Sequence, residues 1–252
     1  MNIEESIQIT KEKFEESFSE EKYYRRQTAD EKHLGLLLDL IKPQKGNVIL
    51  DLGTGTGYVA FGIARKYITS KVVGIDVVTD TLARNKKIVN ERKILNLEFI
   101  SYDGIKFPFP SNSMDYIVTR YAVHHFPNIV GSFNEMYRVL KPKGKLVIAD
   151  PTPNDNDAGG FVDKFMRMKP DGHIKFYSLN EYKDMLQNIG FHFISNQTTS
   201  IRFPRKEVEK YEKILLETDS RIVSDYNIQI TNGEIWITEQ VLNMVFEKEE
   251  SL

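Results

Sequence analysis

The sequence contains no cysteine among its 252 residues. This absence excludes disulfide scaffolding, thiolate zinc sites and catalysis through a cysteine adduct. A strong charge of one sign is also lacking, since 34 basic residues are matched by 36 acidic ones. Nucleic-acid surfaces normally show as basic patches, so the charge balance disfavours a nucleic-acid partner.

Long hydrophobic runs are missing as well. The most apolar helix-like run, residues 34–41, is interrupted by Asp39, and it is far shorter than the roughly 20 residues that span a bilayer. The acidic start, Met1 to Glu5, has neither the basic end nor the apolar core of a signal peptide. We therefore expect a cytoplasmic protein with no membrane partner, and the sequence leaves its oligomeric state open.

The most informative segment is Val48 to Gly57. It is an apolar run closed by Asp51, after which glycines stand at alternate positions, at Gly53, Gly55 and Gly57. Buried parallel strands have such runs, and glycines directly after a strand let the backbone turn tightly and lie close against a ligand. The segment is therefore typical of a nucleotide-type pocket.

The spacing of these glycines indicates which ligand fits. Dinucleotide sites use G-x-G-x-x-G, in which a helix N-terminus receives a pyrophosphate. Here the third glycine comes one residue early, and Tyr58 stands where that pattern has glycine. The charge of Asp51, two residues before the first glycine, would repel a pyrophosphate. S-adenosylmethionine fits better, because it carries an ammonium and a sulfonium and no phosphate.

Strand and helix patterns alternate through residues 46–150. Apolar runs predict strands over residues 47–51, 71–76, 96–101, 114–120 and 144–150, and helices over about 57–67, 79–92 and 128–139. Such alternation predicts an α/β fold with a doubly wound, mostly parallel sheet covered on both faces.

Two less regular regions flank this core. Residues 1–45 are helix-prone and are expected to form an N-terminal cap or lid. The prolines and glycines of residues 151–160 argue against a central strand there. Asn232-Gly233 predicts a hairpin turn, and a last antiparallel strand is expected within residues 235–247. We expect one domain over residues 1–252, with its core at 46–150.

Four segments together resemble the class I S-adenosylmethionine-dependent methyltransferases. Residues 51–57 resemble that family's first motif, and residues 72–76, 98–104 and 114–126 resemble its next three strand segments. The last of these, with residues 138–144, is most similar to the small-molecule branch that includes the ubiquinone and menaquinone methyltransferases. The resemblance covers residues 34–150 well. It implies a Rossmann-like, seven-stranded sheet with one antiparallel strand, and an acceptor site shaped partly by residues 151–252.

The resemblance and the residue types assign candidate roles in cofactor binding. Asp51 is the candidate partner of the cofactor ammonium, or else a carboxylate that caps the next turn. Asp76 is expected to accept from both ribose hydroxyls, because a carboxylate offers paired acceptors. Asp103 is the candidate partner of the adenine amino group, and Asp-Gly is equally an ordinary turn. Further candidates are Gly53, Thr54, Gly55, Gly57, Val77, Gly104, Ile105 and Arg120, with Tyr24 in the lid.

The catalytic candidates follow the fourth and fifth predicted strands. The cofactor already carries an activated methyl group, so alignment supplies most of the catalysis. An acceptor that must lose a proton would gain about 10²- to 10⁴-fold from a base, and His125, His124 or Asp150 could serve. His125 is preferred on the resemblance, and one packed and one solvated histidine is the other interpretation. The five histidines show no metal-ligand spacing, so no metal is predicted.

The sequence leaves alternatives to methyl transfer to a small organic acceptor. A nicotinamide-dependent dehydrogenase would have to hold a pyrophosphate beside Asp51. A non-enzymatic module that binds S-adenosylmethionine would keep the same motifs. The family's methylators of nucleic-acid bases carry Asp/Asn-Pro-Pro-aromatic after the fourth strand, where this chain has residues 120–123, Arg-Tyr-Ala-Val. That branch is therefore disfavoured, and a protein acceptor stays open.

Overall fold

The computed structural model describes residues 2–21, 25, 26 and 28–250. One sheet organises them, with strand order β3-β2-β1-β4-β5-β8-β6 and a short β7 paired to β8. Strand β8 runs antiparallel to both β5 and β6, and the pairs among β1 to β5 are parallel. The strands are β1 Val48–Leu52, β2 Lys71–Asp76, β3 Leu97–Ser101, β4 Met114–Arg120, β5 Leu140–Thr152, β6 Phe191–Arg205, β7 Gln229–Thr231 and β8 Glu234–Lys248.

The mostly parallel, doubly wound sheet is thus confirmed, and β7 adds an eighth, three-residue strand. Strand β7 exists because the predicted turn at Asn232-Gly233 folds it back on β8, with Thr231 opposite Glu234. Both turn residues have positive φ, +53° and +72°, as a tight two-residue hairpin requires.

The helices lie on both faces of the sheet. They are α1 Ile3–Ser19, α2 Glu31–Ile41, α3 Tyr58–Lys66, α4 Thr79–Arg92, α5 Ile129–Val139, α6 Phe161–Arg167, α7 Leu179–Gln187, α8 Glu209–Glu217 and α9 Ser220–Asp225, with a 3₁₀ turn at Val123–His125. Two apolar cores follow from this arrangement. Helices α5 and α7 pack on one face, and α2 and α3 pack on the other.

Apolar spacing explains why these helices bury one side. In α5, Ile129, Phe133 and Met136 recur at intervals of four and three residues and are buried against the sheet, which is the period of one helix face. In α7, Ser178 and Glu181 form a capping box that satisfies the first free amide groups of the helix. No helix among the described residues has both the length and the apolarity to cross a membrane.

Strand β5 departs from the sequence expectation at Pro151. The apolar pattern predicted an end at Asp150, whereas the strand continues to Thr152. Strand β4 ends at Arg120, opposite Ala149, so Pro151 lies beyond its parallel neighbour and pairs only with Val241 of β8. A proline is tolerated there because it has no second strand to donate to.

Strands β6 and β8, each 15 residues long, extend past the end of the parallel sheet. A third apolar core forms on this extension from α6, α8 and β8, and it includes Phe161, Phe165, Tyr211, Ile235 and Ile237. Phe161 and Phe165 of α6 are therefore core residues.

Candidate functional site

A cavity opens at the carboxyl ends of the parallel strands. It holds about 1430 Å³ of empty space, counting the part open to solvent. In open α/β sheets this edge is where ligands bind. Four groups of residues line it, one of them on helix α1. The other three are a loop side (Asp51, residues 53–56, Tyr58, Val59, residues 76–78, Tyr102 and Gly104), a C-terminal side (Met166, Lys169, Asp171, His173, Phe176, Phe203, Arg205 and Glu239) and, between them, residues 120–122 and 124–127 with Pro151. Helix α1 contributes Ile7, Thr10, Phe14 and Phe18.

The loop after β1 needs glycine where it meets its neighbours. Gly53 has φ of +68°, and a Cβ there would lie 2.6 Å from the Cβ of Ala122. Gly55 has φ of +47°, and its Cβ would lie 3.1 Å from the ring of Phe18. Both conformations are rare for residues with a side chain. The backbone of this loop therefore forms part of the cavity wall.

Asp51 is buried at the end of β1. Its Oδ2 accepts hydrogen bonds from Thr54 Oγ1 at 2.6 Å and from the Ala60 amide at 3.0 Å. Burial raises the pKa of this carboxyl to about 6. The turn-capping contacts weighed for Asp51 are thus present, and the same side chain also lines the cavity.

Asp76 ends β2 beside the glycine loop. Its Oδ2 accepts from the Gly55 amide at 2.7 Å, and its Oδ1 accepts from the Val78 amide at 2.9 Å. Burial raises the pKa of this carboxyl, and the amide contacts act the other way. The two amides fix the carboxylate in the cavity wall, with one oxygen bound on each side.

Asn85 of α4 supports the glycine loop from outside the cavity lining, and the sequence did not predict it. Its Nδ2 donates to the Gly55 carbonyl at 2.9 Å, and its buried Oδ1 has no partner among the described residues. Asn85 stands three residues after Leu82, the one buried apolar residue of this helix, and a polar residue at that helical spacing was the available signal. Asn85 holds the glycine loop from behind.

The adenine-side candidates divide into two sets. Val77 and Gly104 line the cavity, together with Tyr102. Asp103 is exposed and is not among the lining residues, and its Oδ1 accepts from the amides of Ile105 and Lys106. Ile105 is 47% exposed and lies outside the lining as well. The Asp-Gly turn is present, and the adenine role of Asp103 stays a prediction.

Arg120 lines the cavity within a polar chain that the sequence analysis did not foresee. Its Nε donates to His33 Nδ1 at 3.1 Å, and Tyr121 Oη lies 3.0 Å from the same nitrogen. His33 Nε2 lies 2.7 Å from Asn243 Oδ1. Because Asn243 Oδ1 is an acceptor and Arg120 is a donor, His33 is neutral with its proton on Nε2. Burial lowers the pKa of His33, which agrees with that state.

His124 and Asp150 form a buried pair. The Nδ1 of His124 lies 3.0 Å from Asp150 Oδ1, and Tyr182 Oη donates to Asp150 Oδ2 at 3.2 Å. Burial lowers the pKa of His124 and raises that of Asp150, so burial disfavours the charged form of both partners. His124 lines the cavity, whereas Asp150 is fully buried behind it and does not.

His125 lines the cavity next to His124. Its ring meets the edge of Phe14 at a centroid distance of 5.0 Å, and its buried Nδ1 has no hydrogen-bond partner among the described residues. Burial lowers the pKa of His125 to about 3. Neither histidine is the solvated one of the alternative interpretation, because both are at least nine-tenths buried.

The C-terminal side carries most of the residues that sequence reasoning missed. His173 Nε2 lies 2.8 Å from Asp163 Oδ1, and Lys169 pairs with Asp171 at 3.0 Å. Glu239 is only 1% exposed, and burial raises its pKa to about 7. Its Oε1 and Arg205 Nε are both buried without a hydrogen-bond partner in the described part of the chain. Polar groups of both charges therefore face this part of the cavity.

Helix α1 lies across the cavity and touches both sides. Three side chains of the helix fill the space that a Cβ would take at a glycine. Ile7 does so at Gly104 and Thr10 at Gly172. Phe18 does so at Gly55. Phe14 packs on His125 between them. The N-terminal segment expected to form a cap or lid thus contributes helix α1 to the cavity lining. Tyr24, the lid residue proposed for cofactor binding, lies outside the described residues.

The described residues include no group of three or more histidine, aspartate or glutamate side chains placed to hold a metal ion. The sequence-predicted residues that the fold brings together around the cavity are Asp51, Gly53, Thr54, Gly55, Asp76, Val77, Gly104, Arg120, His124 and His125. Gly57 begins α3 with φ of +74° and is not among the lining residues.

Comparison with known protein families gives one clear match. A family model described as a methyltransferase domain matches residues 43–187, which is more than half of the chain. This span includes β1 to β5 and all loop-side residues of the cavity.

Individual relatives are similar over part of their length. The uncharacterized methyltransferase YcgJ of Bacillus subtilis is 28% identical over 171 residues, 68% of this chain and 65% of that protein. A demethylmenaquinone methyltransferase of Listeria welshimeri is 33% identical over 119 residues, 46% of this chain and 50% of that protein. The chain thus matches between half and two-thirds of the length of these relatives.

Solved structures with the same fold cover more of the chain. A putative methyltransferase from Bacillus halodurans has a TM-score of 0.77 at 22% identity, covering 87% of this chain and all of that one. A phosphoethanolamine N-methyltransferase of Haemonchus contortus, solved with phosphomonomethylethanolamine and S-adenosylhomocysteine, has a TM-score of 0.62 at 20% identity. It covers 87% of this chain and 53% of that one. At these identities the likeness concerns the fold.

Proposed function

This chain belongs to the methyltransferase family, and from that premise we propose that it transfers a methyl group from S-adenosylmethionine to a small organic acceptor, releasing S-adenosylhomocysteine. The observation that carries the proposal is the pair of buried carboxyls, Asp51 and Asp76, on either side of the glycine loop in the cavity wall. Two acids at this position favour a donor with cationic groups and ribose hydroxyls over a diphosphate.

The residues of the loop side fit this donor. Gly53 and Gly55 line the cavity with backbone atoms alone, so a ligand can approach their main chain with no side chain in between. Each carboxylate oxygen of Asp76 accepts one hydrogen bond from a backbone amide, Oδ2 from Gly55 and Oδ1 from Val78. Each oxygen can accept a second hydrogen bond, which leaves both able to bind a ligand hydroxyl. We assign the ribose hydroxyls to Asp76, the ammonium to Asp51 and the adenine to the wall formed by Val77, Tyr102 and Gly104.

The chemistry that the donor supplies when bound is an activated methyl group on a sulfonium. What the chain must add is alignment of the acceptor and exclusion of water, which together account for roughly 7 to 11 kcal/mol of barrier lowering in well-oriented reactions. Helix α1 and its phenylalanines cover the cavity and serve the second purpose.

His125 is the candidate base if the acceptor must lose a proton. Its Nδ1 has no partner among the described residues and so can contact the acceptor. Burial keeps the ring neutral, and a pKa of about 3 makes it a weak base, so its effect on the rate is expected at the low end for a general base. We assign a positioning role to Asp150, which holds His124 by Nδ1 from behind the cavity wall. His124 lines the cavity and would contact the acceptor beside His125.

A small acceptor agrees with a cavity partly covered by α1 and with the near-neutral charge of the chain. The demethylmenaquinone and phosphoethanolamine enzymes are named for small acceptors of their own. We extend only that general class to this chain. The cytoplasmic location expected from the sequence stays a prediction.

Calorimetry tests the proposal directly. The full chain is titrated with S-adenosylmethionine, S-adenosylhomocysteine and NAD in separate runs. We expect both sulfur compounds to bind with dissociation constants below one millimolar and NAD not to bind. Binding of NAD alone would replace the proposal with a dehydrogenase. Binding of the donor with no methyl transfer to any acceptor in a labelled-methyl screen would favour the non-enzymatic module.

A further inference from the structure

Two charged side chains on the C-terminal side have polar atoms with nothing to bind. Glu239 of β8 is 1% exposed, and its Oε1 has no hydrogen-bond partner among the described residues. Arg205 of β6 uses Nη1 for the Pro204 carbonyl and Nη2 for the sulfur of Met166, and its buried Nε is left without a partner in the same part of the chain. Both residues line the cavity.

Strand register places these groups on one wall. Glu239 lies opposite Ile201 in the β6–β8 pair, and Arg205 is four residues further along β6. Side chains two and four residues apart on a strand share a face, so both project to the side that Phe203 also occupies. Burial raises the pKa of Glu239 and the charge of Arg205 acts against burial by lowering that pKa, yet Nε and Oε1 are not bonded to one another.

The neighbouring charges do not satisfy this pair. Asp171 also attracts Arg205, but its carboxylate is already bonded to Lys169 at 3.0 Å. Asp163 is occupied by His173 and by the Phe176 amide. The wall therefore offers one free donor, on a cation, and one free acceptor, on a buried carboxyl.

A ligand must match both groups at once. A hydrocarbon would leave both unpaired, which is costly for buried polar groups. An isolated anion would satisfy Arg205 but would leave Glu239 without a partner, and an isolated cation would face the charge of Arg205. A carboxylate with a neighbouring hydroxyl or amino group satisfies both, because the carboxylate accepts from Arg205 and the neighbouring group donates to Glu239.

We propose that the methyl acceptor is a small hydroxy or amino carboxylic acid, held by Arg205 through its carboxylate and by Glu239 through the adjacent hydroxyl or amino group. This inference rests on the proposed function and deepens it. It places the recognition of the acceptor on β6 and β8, outside the residues that the family model matches. The apolar body of the acid lies against Phe176, Phe203 and Met166, which line the same side.

A matched set of probes tests the inference by calorimetry on the chain saturated with S-adenosylhomocysteine. Salicylate carries both groups, benzoate lacks the hydroxyl and phenol lacks the carboxylate. We expect salicylate to bind at least tenfold more tightly than either. Equal affinity for the three, no binding of any, or binding only of a short-chain quinol overturns the inference.

Variants separate the two contacts. Arg205→Met is expected to weaken salicylate and benzoate by at least tenfold and leave phenol unchanged. Glu239→Gln is expected to reduce the preference for salicylate over benzoate by at least threefold. The control Arg202→Met removes an exposed arginine of the same strand, which bonds Gln229 instead, and it should change nothing.

Affinity for S-adenosylhomocysteine, measured first in each variant, reports on folding and on the proposed function. If the unmutated chain does not bind S-adenosylhomocysteine, the proposed function is refuted. Retained cofactor affinity with no discrimination among the probes would refute only the assignment of Arg205 and Glu239.

Discussion

The two sides of the cavity are built in opposite ways. The loop side comes from short segments that directly follow β1, β2 and β3, and its contacts run between neighbouring side chains and backbone amides. The C-terminal side comes from residues as far apart as Met166 and Glu239, and its free groups belong to side chains on two long antiparallel strands. The loop side is thus fixed by local backbone geometry, and the C-terminal side by tertiary pairing.

This difference has a consequence for recognition. A site made of backbone and strand-end carboxylates suits a ligand that never changes, because its shape follows from the fold itself. A site made of side chains on strands can be changed by substituting those residues, without disturbing the fold. The first suits a shared methyl donor and the second a particular acceptor.

The largest expected effect concerns Gly53 on the loop side. Gly53→Ala puts a Cβ 2.6 Å from the Cβ of Ala122 at φ of +68°, so we expect it to lower the free energy of unfolding by about 1 to 3 kcal/mol. Gly159→Ala is the control, because its Cβ would meet no atom within 4 Å. Denaturant unfolding of both variants checks this, and equal stability would contradict the tight packing of the loop.

Asp76→Ala is expected to weaken S-adenosylmethionine at least tenfold, about 1.4 kcal/mol, by removing the ribose acceptor. Asp80→Ala serves as the control, since Asp80 is exposed in the first turn of the next helix. Calorimetry measures both. Unchanged affinity in the Asp76 variant would remove the ribose assignment, and an equal loss in both would indicate a general charge effect.

Asp103→Ala should have a smaller effect than Asp76→Ala. The Asp103 side chain is exposed and bonds two amides of its own turn, so we expect at most a threefold loss of affinity for S-adenosylmethionine. The same titration decides the point. A loss of tenfold or more would show that Asp103 reaches the adenine when the donor is bound, and would restore the role that the family resemblance implies.

The smallest expected change is in the charge of His125 between pH 8 and pH 5. Burial lowers its pKa to about 3, so the ring should stay neutral where a free histidine, with a pKa near 6.5, gains a proton. The pKa of His125 is lower in the folded state than in the unfolded state, so the unfolded state binds a proton first as the pH falls. His125 therefore lowers the free energy of unfolding below about pH 6.5. Side-chain ¹⁵N NMR measures the charge state directly, and a midpoint inside this range would contradict the burial argument.

Much of the fold and of the loop side was predictable, because both are encoded locally. The strand at β2 follows from an apolar run, and Asp76 follows from its position at the end of that run. The helical segment around Phe133 follows from apolar spacing alone. Parallel strands then bring their carboxyl ends together whatever the details of the loops, so Asp51, Asp76 and Arg120 meet at one edge.

The C-terminal side could not be predicted in the same way. The polar chain at Arg120 has the same property, because its contact of His33 with Asn243 joins residues 210 positions apart, and no local pattern encodes it. Glu239 left one signal, since it shares a strand face with Ile235, Ile237 and Val241, all of which are buried. A charged residue on the apolar face of an alternating strand is costly unless it has a use, and that break in the pattern could have been noticed.

Helix α1 contacts both parts of the cavity, so access to both depends on the position of one helix. A single element of 17 residues rests on Gly55, Gly104, His125 and Gly172, so a displacement of this helix would uncover the proposed donor site and the proposed acceptor site together. Exchange of donor and exchange of acceptor are then tied to one movement, and a turnover limited by that movement would have the same maximal rate for every acceptor the protein accepts.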